Sequence, residues 1–272
     1  MSDTKLDLPP PASSTNSSRR GLSEFLMEEV DGNQATWQLT AYCFMTGWID
    51  AISFSAVFVW CAFQTGNTLQ LALALARLFG PDNDTSFHTP DKQALTSLLT
   101  FLFGAFLGRI GDRIGARTRL WLVLGTFIQA LFTMAAAVAI WQSHQGSVAS
   151  DRGSPSWTDA LSYVTIAFMS ASMGLQGIMG KRVNSQFATT IVLTTVWCEL
   201  MADPKLFQIK RFVITRDHKA MGIFALFVGG FVSRAILQSI GSDSSLGIAC
   251  GVRVLMALSW LFVPAKKAAG KS

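Results

Sequence analysis

Apolar residues run for about 18 or more positions, almost without charge, in six places: 38–63, 94–110, 120–141, 160–180, 221–240 and 246–264. Runs of that length match the ~30 Å hydrocarbon core of a bilayer, so each predicts a membrane-crossing helix. Two shorter apolar pieces, 68–79 and 187–201, each follow one of the long runs. They are too short for ordinary crossings and predict half-helices or re-entrant arms. Non-helical backbone at that depth must be sheltered by protein or line a cavity. The stretch "FQTGNTLQLALALA" (63–76) carries the first such interruption, with Gly66 as the expected break and Thr65 or Asn67 as the expected cap of the helix that follows.

Composition agrees with the pattern. Half of the 272 residues are apolar and 14% are charged, which places the chain among all-α integral membrane proteins. The first 35 residues are rich in Ser, Pro and Thr and predict a disordered cytoplasmic tail. The net charge of +5 comes from basic residues at the ends of apolar runs, so it speaks for topology and against a nucleic-acid partner.

Segments 109–119 and 205–219 are strongly basic, whereas 80–91 and 142–159 are acidic or nearly neutral. The positive-inside rule then predicts six crossings with both termini in the cytoplasm, and the plasma membrane is favoured over an internal one. The expected organisation is a tail (1–35), a first transmembrane repeat (36–141), an outer loop (142–157), a second repeat (158–264) and a second tail (265–272). Trp60, Trp121, Trp141, Trp157, Trp197 and Trp260 lie near run edges and are expected as interfacial anchors.

The halves repeat. "FGAFLGR" (103–109) returns as "VGGFVSR" (228–234), and "FMTGWIDAISF" (44–54) corresponds roughly to "FMSASMGLQGI" (168–178). The loops after the two short pieces have opposite charge, so the repeats are predicted to be inverted, three crossings each. Many secondary transporters share that plan, with interrupted helices building a site near the midplane.

"GWIDAISF" (47–54), "TGNT" (65–68) and "MGLQ" (173–176) occur in that order. In this combination the chain resembles the YoaK family of membrane proteins, the domain of unknown function 1275, over nearly all its length after the tail. The resemblance implies a six-span bundle and no assigned activity. The family tends to show Thr-Gly-Thr where this chain has Leu193-Thr194-Thr195. A second, local resemblance joins Gly108, Asp112, Arg113, Gly115 and Arg117 to the cytoplasmic loop motif of major facilitator transporters.

Candidate chemistry is sparse. Asp50 is the acidic residue deep in the first run; a carboxylate there must be protonated, paired or hydrogen-bonded. It is read either as a proton-coupling site or as a structural bond to nearby backbone or Ser53. Asp50, Thr65, Gly66, Asn67 and Gln176 form the candidate substrate-binding set, and the polar members serve equally as interhelical glue. Arg109, Asp112, Arg113 and Arg117 form a candidate inner gate. Lys181 and Arg182 read as interface anchors. Arg234 matches Arg109 in the repeat, and a partner in Asp243 or an external ligand would account for it. Cys43, Cys61, Cys198 and Cys250 read as buried apolar residues. No nucleophile and base, metal-ligand or nucleotide pattern appears, so no catalytic residues, metal or cofactor are expected and the chain is not read as an enzyme.

The function expected is a secondary transporter or permease of a small solute, with proton coupling through Asp50 as one form. The alternative is a non-transporting membrane scaffold or assembly factor. The expected partners are the lipid bilayer, a small solute and a second copy of the chain in a homodimer.

Overall fold

A computed structural model describes residues 21–81, 85–149, 156–183, 190–191, 193–208 and 210–266. In chain order its helices are α1 (Leu22–Met27), α2 (Thr36–Val57), α3 (Gln64–Ala76), α4 (Thr89–Leu107), α5 (Ile110–Ile114), α6 (Arg119–Ser143), α7 (Ala160–Val183), α8 (Leu193–Met201) and α9 (Ile214–Ser259). Among the described residues there is no strand, only two isolated β-bridges. Four helical stretches are long and apolar enough to cross a membrane: Thr89–Ile114, Arg119–Ser143, Ala160–Val183 and Ile214–Phe262. The protein is thus an all-helical membrane protein. The last stretch is not one straight helix, because Gly241 has φ 87° and ψ 174° and divides α9 near its middle.

Local chemistry sets the boundaries. Thr118 caps α6 by accepting from the Trp121 N–H at 3.3 Å. Asp91 accepts from the His88 N–H at 3.1 Å, and Pro90 sits in the first turn of α4, where its missing N–H costs nothing. Arg77 at the end of α3 makes an ion pair with the same Asp91, tying α3 alongside α4.

Helix α2 packs chiefly on α9, α4 on α7, and α6 on both α7 and α9. Glycine makes two of these contacts backbone-close. A β-carbon built on Gly47 would lie 2.0 Å from Leu226 O and 2.8 Å from Gly230 N, and one on Gly229 would lie 2.0 Å from Phe44 O. In the other pair, Gly174 would meet Phe101 O at 2.0 Å and Ala105 N at 2.8 Å, and Gly104 would meet Ala171 O at 2.0 Å. The same four-point contact is therefore made twice. Its α4 and α9 members (Phe101, Gly104 and Ala105 against Leu226, Gly229 and Gly230) are 125 residues apart. Its α2 and α7 members (Phe44 and Gly47 against Ala171 and Gly174) are 127 apart. The first offset is that of the FGAFLGR and VGGFVSR pair. The second differs by three residues from the offset of the rough sequence pairing of 44–54 with 168–178, almost a helical turn, a difference that hydropathy alone does not resolve.

The connections sort to two ends. At one, Val30 N–H donates to Arg117 O at 3.0 Å, Asp31 N–H to Pro264 O at 2.9 Å, and Lys266 N–H to Glu29 O at 2.8 Å. Arg119 reaches Glu28 and Val263 O there, with its guanidinium over the Phe25 ring. This packing departs from a tail reaching residue 35: from Leu22 on, the segment has apolar and charged anchors, and Val30 is buried. The tail reading of residues 1–20 and of 267–272 lies outside the described residues. At the other end Ala149 N–H donates to Ser55 O at 2.9 Å, Ser242 N–H to Ser147 Oγ at 2.9 Å, and Gln93 Nε2 to Trp157 O at 3.1 Å.

Three of the six tryptophans read as interfacial are interior instead. Trp121, Trp157 and Trp260 are buried, while Trp141 and Trp197 are exposed. The buried three have polar or close-packed partners: Trp260 Nε1 donates to Thr126 and Trp157 Nε1 to Gly146 O, and the Trp121 ring fills the space over Gly111. Cys198, expected buried, is exposed.

Candidate ligand-binding cavity

The chain leaves α2 through Phe58, a non-glycine residue held at φ 56°. That left-handed conformation costs ~1–2 kcal/mol and persists only where surrounding contacts impose it. Here the contacts come from one carboxylate and one amide. After Phe58 the backbone turns back along α2, so that Cys61 and Ala62 donate their N–H groups to Asp50 Oδ1 at 2.7 and 2.9 Å. Asn67 accepts from the Trp60 N–H at 3.3 Å and donates to Trp60 O at 2.6 Å. Ser97 on α4 also donates to Trp60 O, at 2.8 Å, and meets Ser170 of α7 at 2.8 Å. Gln64 closes the set, donating to Cys61 O at 2.8 Å and Ser97 Oγ at 3.0 Å.

The break in the greasy run is therefore at 58–63, ahead of Gly66. Helix α3 starts at Gln64 without a side-chain cap, so neither Thr65 nor Asn67 caps it. The reason is that backbone released by the turn is satisfied from outside α3, by Asp50 and Ser97, and Asn67 reaches back from within the first turn. Replacing Asn67 by Leu leaves the buried Trp60 N–H without its acceptor and is expected to cost ~2–3 kcal/mol. A urea or thermal unfolding series in detergent measures it; a loss below ~1 kcal/mol would show that the turn does not depend on this amide.

Asp50 itself is 2% exposed, and its second oxygen, Oδ2, is buried with no hydrogen-bond partner. It lines an open cavity of about 630 Å³ between α2, α9 and the 58–63 turn, with the Phe227 and Phe231 rings of α9 exposed at its rim. Aromatic rings form much of the wall, with Phe54 and Trp60 stacked at 4.1 Å and Phe227 and Phe231 contributed by α9. Arg234 lines the same cavity, and its Nη1 is buried and without a partner. Among the described residues no ion pair joins Arg234 to Asp50 or to Asp243.

The other sequence candidates are not gathered here. Thr65 and Gly66 are exposed and do not line the cavity. Gln176, on α7, is fully buried against another stretch of α2, donating from Nε2 to Tyr42 O and Thr46 Oγ1, each at 3.0 Å, while its Oε1 has no partner. Of the loop charges, Asp112 pairs at 2.8 Å with Arg182, a residue read from sequence as a lipid-interface anchor. Arg117 Nε donates to Arg182 O at 3.0 Å, and Arg109 lies over the Phe106 ring. The Asp112 and Arg182 pair joins the α5 turn to the end of α7. Arg113 is exposed.

One buried charge escaped the sequence reading. Arg253, on the final part of α9, is 0% exposed, donates to Gln129 Oε1 of α6, and approaches Ser172 Oγ at 3.5 Å, with no carboxylate paired to it among the described residues. Tyr42, Thr126 and Trp260 form a hydrogen-bonded group nearby, with Tyr42 OH and Thr126 Oγ1 at 2.7 Å. The signal was present: Arg253 is the only charged residue in the run 246–264, the same test that singled out Asp50.

A family model described as "Protein of unknown function (DUF1275)" matches residues 38–259. No curated protein and no solved structure matches the chain significantly.

Proposed function

We propose that the chain, which belongs to the DUF1275 family, is a secondary transporter of a small solute built from two inverted three-span repeats, with the cavity beside Asp50 as its outward-facing site. The observation that carries the reading is the glycine contact made twice at constant residue offsets, each time between one helix of the first half and one of the second. Division of α9 at Gly241 supplies the two last crossings of a six-span count. Each half also has a short helix after its first long one, α3 against α4 and α8 against α9. Interrupted elements at matching positions are the usual place for a transporter's site.

On this reading the end that gathers Arg117, Arg119, Arg182 and Lys266 is the cytoplasmic one by the positive-inside rule. The Asp112 and Arg182 pair is then a cytoplasmic tie between halves, and a homodimer in the plasma membrane is the form we expect.

Asp50 has two separable duties. Oδ1 holds the turn, whereas Oδ2 faces no protein partner and is the group for a proton or a solute donor. Asparagine keeps the first duty and loses the second. In proteoliposomes reporting internal pH, Asp50→Asn is therefore expected to keep the wild-type elution profile and to lose at least ~90% of any solute-driven proton movement, a tenfold effect equivalent to ~1.4 kcal/mol. Solute flux with proton movement unchanged in that variant would remove Asp50 from the mechanism.

A further inference from the structure

Two side chains of opposite charge type line the cavity, and no ion pair between them is found among the described residues. Asp50 is buried and Arg234 half-buried, and Asp50 Oδ2 and Arg234 Nη1 are each buried atoms without a partner. Leaving a buried polar atom of an ionic group unsatisfied is costly, so a ligand that satisfies one group and not the other gives up much of its binding. An anion alone leaves the carboxylate facing it, and a cation alone leaves the guanidinium. The rest of the wall is largely apolar, with Phe54, Trp60, Phe63, Phe227 and Phe231 forming the body of the site. At about 630 Å³ the space falls in the range of small-molecule sites, which run to ~300–1,000 Å³.

We propose that this cavity binds a zwitterion with an apolar body, its ammonium on Asp50 Oδ2 and its anionic group on Arg234 Nη1. The inference rests on the transport reading for its biological use, since it names the class of solute carried, but the site itself is tested by binding. Such chemistry comes from two sources, a free apolar amino acid or the headgroup of a zwitterionic phospholipid.

The test uses the full chain purified in detergent and equilibrium dialysis with L-phenylalanine, 3-phenylpropionate, which lacks the ammonium, and 2-phenylethylamine, which lacks the carboxylate. L-phenylalanine is expected to bind saturably and at least tenfold more tightly than either analogue. Asp50→Asn should cost L-phenylalanine at least tenfold and leave 3-phenylpropionate nearly unchanged, while Arg234→Gln should cost L-phenylalanine at least tenfold and leave 2-phenylethylamine nearly unchanged. If the occupant is the lipid, native mass spectrometry instead shows phosphatidylethanolamine retained over phosphatidylglycerol, and retention falls in both variants. Analogues that bind as well as L-phenylalanine, or failure of both zwitterions to bind, overturns the proposal. The two readings fail separately. Binding without flux in proteoliposomes removes transport and keeps the site, whereas flux confined to a singly charged solute keeps transport and removes the zwitterion.

Discussion

Alanine at Gly47, Gly104, Gly174 or Gly229 is expected to destabilise the folded protein by ~3 kcal/mol or more, enough to remove the monodisperse peak in detergent size-exclusion chromatography. The added methyl would stand 2.0 Å from a carbonyl oxygen of the neighbouring helix in every case. No side-chain rotamer relieves that contact, because the obstructing atom is backbone, so the two helices must separate. Separation also gives up the dispersion contacts that hold membrane helices together where there is no hydrophobic drive between them. Gly247 and Gly251 supply the control. Both lie in the last part of α9 and have nothing within 4 Å of an added β-carbon. Alanine there should be neutral or raise stability by ~0.5–1 kcal/mol through the lost backbone entropy of glycine. The two contacts being equivalent, loss in the α2 and α9 pair should match loss in the α4 and α7 pair. Tolerance of alanine at Gly104 and Gly174 but not at Gly47 and Gly229 would mean the two crossings are not equivalent.

The second large effect concerns Arg253. Gln129→Leu is expected to cost ~3–5 kcal/mol, because it strips a fully buried guanidinium of its main acceptor and leaves it the longer contacts to Ser172 Oγ at 3.5 Å and Met173 Sδ at 3.8 Å. Arg253→Met removes the charge together with its desolvation cost and orphans one amide oxygen, so its loss should be no more than ~1–2 kcal/mol. The double variant should then be more stable than Gln129→Leu alone, a coupling visible in thermal unfolding of the four proteins side by side. Arg253→Met as damaging as Gln129→Leu would show that the cation holds the bundle together through contacts other than Gln129.

How far the sequence disclosed all this depended on the kind of signal. Apolar runs located α2, α4, α6, α7 and both parts of α9, because length and hydropathy are local properties that a bilayer reads directly. The turn after α2 was legible as polar groups where none should be, yet its position was misread by a few residues. Gly66 is the visible helix breaker, but the chain breaks at Phe58, a residue with no preference for that conformation, since Asp50 and Asn67 enforce it from a distance. Asp50 and Arg253 could both be found as lone charges in apolar runs. Their partners could not: nothing in the order of residues says that Asp50 shares a cavity with Arg234, 184 positions later, or that Asp112 is met by Arg182 and not by a neighbour in its own loop. The tryptophans mislead for a related reason. Run edges in sequence are where a belt residue would lie, but Trp121, Trp157 and Trp260 turn inward, a choice made by rotation about the helix axis and by the chain beyond it.

The pairing of α2 with α9 and of α4 with α7 also constrains how the protein can be made. Synthesis delivers α2 to the bilayer first and α9 last, so the face bearing Gly47 and Asp50 has no permanent neighbour until Leu226 and Gly230 have been translated, roughly ten seconds or more later at ordinary elongation rates. During that interval an open glycine groove stands against lipid or the insertion machinery. The clamp of Val30 and Asp31 with Pro264 and Ala265 closes later still, once those residues have emerged. Assembly is therefore post-insertional, and a nascent chain stalled before residue 226 should be a ready target for membrane quality control.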